Sequence, residues 1–458
     1  MSDNIKKKVN YMDYIIEKAN FDSIDKLAVL AKLERYVNYF VKFVSDVSEP
    51  EYLYWDKVKY KQPPHGFTIE EAWFFIQLFR KFSYDTTPIR TEEGEYFNWM
   101  KLPSVDELLH KIDISTGGQI FSSAQIFSDI EKQKYISRGI LEEAIASSQL
   151  EGAHTTRNVA KLMIANKREP KNISEQMILN NYKTISKIES NFKDRLLTKD
   201  LLLEMHRMLT YKTIPVEAIG RYRKDNDEII VNGLIQNKEY VTFTPPNEDF
   251  LNGEMERFIE YANDVNEGKF LHPIIKAILL HFWIGYLHPF IDGNGRLARA
   301  IFYWYLLRKG YWTFMYIPIS LTIKKAPVQY ALAYIYSEQD NNDVTYFLDF
   351  HIRKIMQSLD DFNDYVTQKM KEGKEVDKVM DSNIKLTERQ KSLIHYLIKA
   401  NNSYITITSH STLNNISRQT ATKDLQKLIK SNLIKGEREG KYIKYSATPK
   451  LIKMANDK

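Results

Sequence analysis

The segment His288-Pro-Phe-Ile-Asp-Gly-Asn-Gly-Arg-Leu-Ala-Arg299 concentrates the residues with which this chain could do chemistry. His288 offers an imidazole whose ordinary pKa, about 6.5, suits a base acting on a hydroxyl at neutral pH. Asp292 is a carboxylate of the kind Mg2+ takes together with phosphate oxygens and water. Gly293 and Gly295 free the backbone, so that successive N–H groups can converge. At the start of a helix such groups form a nest for an anion. Arg296 and Arg299, three apart in the first turn, share a helix face and can fork onto two phosphate groups. Base, metal ligand, anion nest and cationic clamp are the parts needed for in-line attack on a nucleotide phosphate. A plain helix corner with solvated charges needs no such combination.

Two helices must hold this segment. One is predicted to enter at Pro273 and end near Leu287, and the other to start near Gly295 and run to Gly310. The apolar pattern is mostly helical over 116–371. The stretch 228–244 departs from it: its alternation around Asn232–Gly233 and Asn237 predicts a β-hairpin, stopped by Pro245–Pro246. Residues 1–115 read as a helical region rich in Tyr, Trp and Phe, with a turn at 63–66 and a helix over 67–82. Aromatics at helical spacing point there to core. The polar stretch 372–384 reads as a linker. The last block, 385–458, is mixed: an amphipathic helix over 387–400, a short strand at Ile405 and Ile407, a helix capped by Ser417, and a hairpin over 435–448. Leu425, Leu428 and Ile429 are expected to face inward.

Composition sets the bounds. The 458 residues suffice for two or three domains, and 43% hydrophobic against 27% charged is a globular balance. No run is apolar enough to predict a membrane span, and the charged N-terminus lacks the apolar core of a signal peptide. There is no cysteine, which excludes disulfides and thiolate metal sites and makes a reducing cytoplasm the default expectation. The net charge is +6, yet from Lys385 to Lys458 there are 15 Lys plus Arg against 5 Asp plus Glu. An acidic partner is therefore to be sought at that end.

HPFIDGNGRLAR resembles the Fic motif, HxFx(D/E)GNGRxxR, at every fixed position. The resemblance extends over roughly 137–350, through Gly220-Arg-Tyr-Arg223, Thr244–Pro245–Pro246 and His272–Pro273. It implies a mainly α fold in which residues 116–371 form a Fic helical domain with a β-hairpin flap. It implies a protein adenylyltransferase that moves AMP from ATP, with Mg2+, to a Ser, Thr or Tyr hydroxyl of a protein target, and that can modify itself. By the resemblance His288 is the general base and Asp292 the metal ligand. Gly293, Asn294 and Gly295 form the anion hole, and Arg296 and Arg299 bind the ATP phosphates. Phe290 anchors the loop, Tyr330 lies on the adenine side, and Val241, Thr242, Phe243 and Thr244 of the flap align the target by strand pairing.

Ser147-Ser-Gln-Leu-Glu151-Gly152 resembles the family's inhibitory motif, (S/T)xxxE(G/N), at the end of a helical run over about 137–152. A carboxylate entering the nucleotide pocket there would pair with Arg299 and compete with the γ-phosphate. The same carboxylate could position a water, so removal of AMP is chemically open as well. Residues 385–458 resemble a winged helix-turn-helix module with 418–431 as recognition helix. Arg418, Gln419, Thr420, Thr422 and Lys423 could face a DNA groove, with Lys441 and Lys444 of the wing near phosphates. Such modules also bind protein or form a homodimer. A DNA-binding regulator with a nucleotide-sensing Fic domain is thus the competing reading. The residues alone do not fix adenine over another donor.

Overall fold

In a computed structural model of the chain, residues 12–22, 24–119, 129–235, 238–265, 268–379, 386–399, 404–414, 416–440 and 442–456 are described. Among the described residues helices dominate, and the strands form three two-stranded antiparallel hairpins, with single bridges added at Asp13–Val241, Asn98–Asp343 and Ile405–Tyr445. At the centre lie the helices Pro273–Leu287 and Asn294–Arg308, packed along each other. The first is apolar on all sides, with Pro273 in its opening turn and His272 accepting the Ile274 N–H. A helix apolar all round must be buried, and Trp283, Phe282 and Leu280 have no exposed surface.

Around this pair pack Lys199–Thr210, Ile173–Ser190, Asp129–Leu150 and the long helix Thr345–Val379. Gly139 lets Asp129–Leu150 come close: a Cβ there would lie 1.9 Å from the Met315 carbonyl oxygen. Buried Glu143 pins the same helix, accepting from Tyr303 Oη at 2.8 Å and from the Ser320 N–H at 2.9 Å. The helix Thr345–Val379 runs well into the stretch 372–384 read as a linker, because its Lys and Glu residues favour a helix over a break; residues 380–385 lie outside the described residues.

The region before residue 116 shares one continuous core with these helices, from Ile16, Phe40 and Trp73 through to Trp283 and Phe347. The helix expected over 67–82 is Ile69–Phe82, opened by a Thr68–Glu71 capping box. The region is not purely helical, however. Tyr84–Arg90 and Tyr96–Met100 form an antiparallel pair, closed through Gly94 at φ 86°. The β-branched Thr86, Thr87 and Ile89 favour the strand, and the glycine permits the turn.

The C-terminal block has its own small core of Leu393, Leu397, Leu425, Leu428, Tyr445 and neighbours. Its elements are Glu388–Lys399, Ile407–Leu413, Arg418–Lys430, the hairpin Ile434–Glu439 with Tyr442–Ala447, and Pro449–Asn456. Ser417 caps the third helix as its sequence indicates. Ile405 bridges to Tyr445, but Ile407 opens a helix rather than continuing a strand, since Thr406 and Ser409 form a capping box. Ile429 is 40% exposed instead of inward. The helix Ile407–Leu413 rests on Arg157–Ala165. Among the described residues no helix is long and apolar enough to cross a membrane.

Candidate active site

The helix Pro273–Leu287 ends abruptly. His288 takes the left-handed conformation, φ 47° and ψ 56°, while its N–H still bonds the Ile284 carbonyl at 3.0 Å. A residue with a Cβ rarely adopts that conformation, so its surroundings must hold it. Arg223 does so. Its Nε donates to the His288 carbonyl at 2.8 Å and its Nη2 to the Leu287 carbonyl at 3.2 Å and to the Pro246 carbonyl. Its own N–H donates to the Pro289 carbonyl at 2.9 Å. A guanidinium at a helix C-terminus satisfies carbonyls that have no helical partner.

The His288 ring is oriented by Nδ1, 3.3 Å from the Gly285 carbonyl. A carbonyl only accepts, so Nδ1 carries the proton and Nε2 keeps its lone pair. Burial pulls the His288 pKa down to about 4. The imidazole is thus neutral at pH 7, the form a base requires.

The loop is fixed from inside. Phe290 has no exposed surface and stacks on His206, with ring centroids 3.7 Å apart. His206 accepts the Gly220 N–H at Nδ1 (3.0 Å) and donates from Nε2 to the Asp292 carbonyl (3.0 Å). Burial lowers its pKa to about 4, which keeps this tautomer neutral. The side chain of Asn294 forks onto Phe290, accepting its N–H at 2.9 Å and donating to its carbonyl at 2.7 Å. Asn294 is therefore a staple of the loop. Only its backbone N–H, beside those of Gly295 and Arg296, remains for an anion at the head of Asn294–Arg308, where no side chain caps the helix. Gly293 turns the chain at φ 90°, and a Cβ there would meet Thr210 Cγ2 at 2.9 Å.

The two arginines share a helix face but diverge in their partners. Arg296, fully buried, donates from Nη1 to the Leu209 carbonyl at 3.0 Å and from Nη2 to Asp292 at 3.1 Å. Long side chains three apart leave one face but follow different partners. Arg299 turns toward the helix Asp129–Leu150. It donates from Nε to Ser147 Oγ at 2.8 Å, and from Nη2 to the Ser147 carbonyl at 3.0 Å and Glu151 Oε1 at 2.8 Å. Burial opposes its charge, but Glu151 and neighbouring groups hold its pKa above the usual value.

Glu151 follows the last turn of its helix, and Gly152 ends that turn at φ 87° with open space around its Cα. The Glu151 carboxylate lies over the head of the motif helix. A Cβ built on Gly295 would sit 2.2 Å from Glu151 Oε1 and 3.2 Å from Arg299 Nη1. An acidic group thus fills the spot where the absent side chain, the helix N-terminus and Arg299 meet.

Asp292 is 46% exposed; one oxygen accepts the Gly293 N–H at 2.6 Å and the other faces Arg296. Among the described residues no group of three or more His, Asp or Glu could hold a metal ion. Tyr330 packs beside His281, bonded through its hydroxyl at 3.0 Å, and beside Phe350 and His351.

The hairpin pairs Val231–Ile235 with Lys238–Phe243. Asn232–Gly233 is inside the first strand and not the turn; residues 236–237 lie outside the described residues. Val241, Thr242 and Phe243 form the second strand, Thr244 follows it, and Phe243 packs on Tyr286 at 5.2 Å. In the C-terminal block Arg418, Gln419 and Lys423 are exposed at the head of their helix. Thr420 bonds Ser417, Thr422 bonds the Arg418 carbonyl, and Lys444 pairs with Glu439 at 2.5 Å, so these three are already engaged. Lys441 lies outside the described residues. Sequence reasoning missed the positioning roles of His206 and Arg223. Gly220-Arg-Tyr-Arg223 was visible, but nothing in the spacing of either residue shows which carbonyl it reaches.

Residues 196–306 match the Fic/DOC family model. Protein adenylyltransferase Fic of Drosophila erecta is 34% identical over 131 residues, 29% of this chain and 22% of that protein. The namesake of Drosophila willistoni is 32% identical over the same shares. The chain spans about a fifth of the length of these relatives. A Fic family protein from Desulfovibrio desulfuricans G20 aligns over 77% of this chain and 98% of its own, with 17% identity and a TM-score of 0.48. A Fic-domain signalling protein from Bacteroides thetaiotaomicron covers 56% of this chain and 97% of its own, with 19% identity and a TM-score of 0.43. The family match encloses His206, Arg223 and the whole 288–299 loop, so residues 196–306 of this chain carry a match to the Fic/DOC family.

Proposed function

We propose that this chain transfers AMP from ATP to a Ser, Thr or Tyr hydroxyl of a protein, and that Glu151 keeps the nucleotide site closed at rest. The observation that carries the reading is the shared spot at Gly295. A carboxylate oxygen stands where an anion would meet the helix N-terminus and Arg299, next to a loop that presents a neutral His288.

In this reading Nε2 of His288 takes the hydroxyl proton as the oxygen attacks the α-phosphorus. An O–P bond forms, the bond to the bridging oxygen of the β-phosphate breaks, and pyrophosphate leaves. The N–H groups of Asn294, Gly295 and Arg296 face the phosphate chain. Arg299, released from Glu151, holds its far end. Asp292 is the residue that would hold Mg2+; one half-exposed carboxylate suits an ion that draws its remaining ligands from phosphate and water. Such an ion would offset charge on the phosphates. Tyr330 would lie on the base side, and Val241 to Thr244 would align the target segment. The name carried by the Drosophila relatives, protein adenylyltransferase, supports the same chemistry.

The test compares wild type, Glu151→Gly and Glu151→Gly/His288→Ala with Mg2+ and α-labelled ATP, read as label and intact mass. Label on the single variant alone is expected. Equal label on wild type and Glu151→Gly would remove the brake. Label that survives His288→Ala would remove the base.

A second reading concerns residues 386–456 and is compatible with the first. Their order of elements suits a winged helix-turn-helix, and the side chains of Arg418, Gln419 and Lys423 are exposed together at the head of one helix. We read this face as a DNA contact. A DNA shift that weakens steeply with salt and is lost in Arg418→Ala/Lys423→Ala is expected, and a shift unaltered by that double change would refute it.

A further inference from the structure

The outer edge of the hairpin already carries an extended segment, paired with it at a single residue. The Tyr14 N–H donates to the Val241 carbonyl at 2.8 Å, and the Val241 N–H donates to the Met12 carbonyl at 3.1 Å. Asp13 and Val241 are parallel bridge partners. Within the hairpin Val241 lies opposite Asn232, and its own N–H and C=O turn away from that strand. They are the open pair of the edge, and the chain's beginning fills them. The Tyr14 ring stands edge-on to Tyr240, with centroids 5.4 Å apart.

The hold on this segment is uneven. Gln339 reads it like a neighbouring strand, accepting the Ile16 N–H at 3.0 Å and donating to the Tyr14 carbonyl at 2.8 Å. Ile16 is buried in the core, and the Glu17 carbonyl accepts from Tyr54 Oη. Met12, by contrast, is 75% exposed. The inner part is built in, while the outer residues are tied to the hairpin through the two backbone bonds at Val241 and the Tyr14–Tyr240 ring contact.

The hairpin edge is also coupled to His288. Strand Lys238–Phe243 leads to Pro246, whose carbonyl is gripped by the same Arg223 guanidinium that holds the His288 carbonyl. A segment paired at Val241 is therefore held in fixed relation to the imidazole.

With the Val241 edge taken from the proposed function as the strand on which a target segment docks, we propose that residues 12–14 of this chain are its resident occupant, which the incoming segment must displace. The identity of the incomer as an AMP acceptor rests on the proposed function; the occupancy does not. The incomer must offer a carbonyl at one residue and an N–H two residues later, as Met12 and Tyr14 do, so proline is excluded at the second place. Backbone pairing of this kind is tolerant of sequence. The occupant is tethered, so it competes at a high effective concentration although it contributes only two backbone bonds. It acts on the acceptor, whereas Glu151 acts on the nucleotide.

The chain has no cysteine, so a single engineered disulfide can lock the occupant. Asp13→Cys and Val241→Cys are introduced together into the full-length Glu151→Gly chain. Oxidation should give the intramolecular bridge, seen by intact mass, while an Asp13→Cys/Glu239→Cys control should not bridge. Oxidised protein should bind ATP as the reduced form does, but incorporate at least about tenfold less AMP, with recovery on adding reductant. Failure to bridge, or bridging that leaves AMP incorporation unchanged, overturns the proposal. If the reduced chain takes no label at all, AMP transfer is what fails, and the bridge alone decides whether the edge is occupied.

Discussion

Removing the Glu151 carboxylate should raise affinity for ATP without raising affinity for AMP. Glu151 Oε1 accepts from Arg299 Nη2 at 2.8 Å, and the guanidinium is only 4% exposed. A hydrogen bond to a charged group in such a place contributes about 1.5–3 kcal/mol. A terminal phosphate that needs the same guanidinium must displace that contact, so it binds about 10- to 150-fold more weakly while the carboxylate is present. In the proposed binding mode AMP, which lacks the terminal phosphate, would not reach Arg299 and would escape the competition. The assay is titration calorimetry of the His288→Ala chain, which cannot turn over, with and without Glu151→Gly, using ATP, ADP and AMP. The ATP dissociation constant should fall by that factor, and the AMP constant should move by less than about threefold. Equal tightening for ATP and AMP would mean that Glu151 blocks the pocket by bulk or shape. No tightening for either would mean that the ion pair is merely a structural contact of the helix Asp129–Leu150.

Other consequences follow from the loop. Because burial holds His288 near pKa 4, kcat/KM of the Glu151→Gly chain should stay flat from about pH 8 to about 5 and fall only below that; an acid limb near the free-imidazole value would refute the neutral, buried base. Asn294→Ala should lower the urea midpoint by an amount equivalent to about 1–3 kcal/mol, since it strands the N–H and carbonyl of buried Phe290. Unchanged stability would show that the fork contributes nothing. Gly295→Ala places a Cβ 2.2 Å from Glu151 Oε1, so it should expel the carboxylate and yet fill the anion spot. AMP transfer should then be absent from Gly295→Ala with or without Glu151→Gly, and activation by Gly295→Ala alone would show that carboxylate and phosphate do not share that spot.

The legible parts of this chain were those with a local cause. The helices on either side of 288–293 follow from Pro273, an unbroken apolar run and the glycines. The cap at Ser417 and the hairpin before Pro245–Pro246 likewise follow from residues within a few positions. Glu151 was reachable only through resemblance, because nothing between positions 151 and 299 says that the two meet. What stayed hidden are polar side chains that bond distant backbone. His206 reaches the Asp292 carbonyl and Arg223 the His288 carbonyl, and neither bond leaves a period in the sequence. The fork of Asn294 was hidden for another reason: its neighbours suggested an anion, and the nearer backbone of Phe290 took its amide first. The strand pair Tyr84–Arg90 and Tyr96–Met100 was masked by aromatic residues that fit helix and strand alike.

The divergence of the two arginines carries a physical consequence. A guanidinium presents five donors, and burial makes each unpaired one costly. Arg296 places donors on the Leu209 carbonyl and Asp292, and Arg299 on Ser147 and Glu151, yet among the described residues Arg296 Nε and Arg299 Nη1 are buried without a hydrogen-bond partner. Folded proteins rarely leave such donors open, and those that do often hold them for a ligand. The Nη1 of Arg299 lies beside the spot at Gly295 that Glu151 fills. An intramolecular carboxylate therefore satisfies this arginine only in part. A phosphate group, with three oxygens in place of the single Glu151 oxygen now bonded, could satisfy the open donor as well. Under the proposed function, that asymmetry would let one glutamate hold the site closed while leaving the nucleotide the better ligand once the carboxylate withdraws.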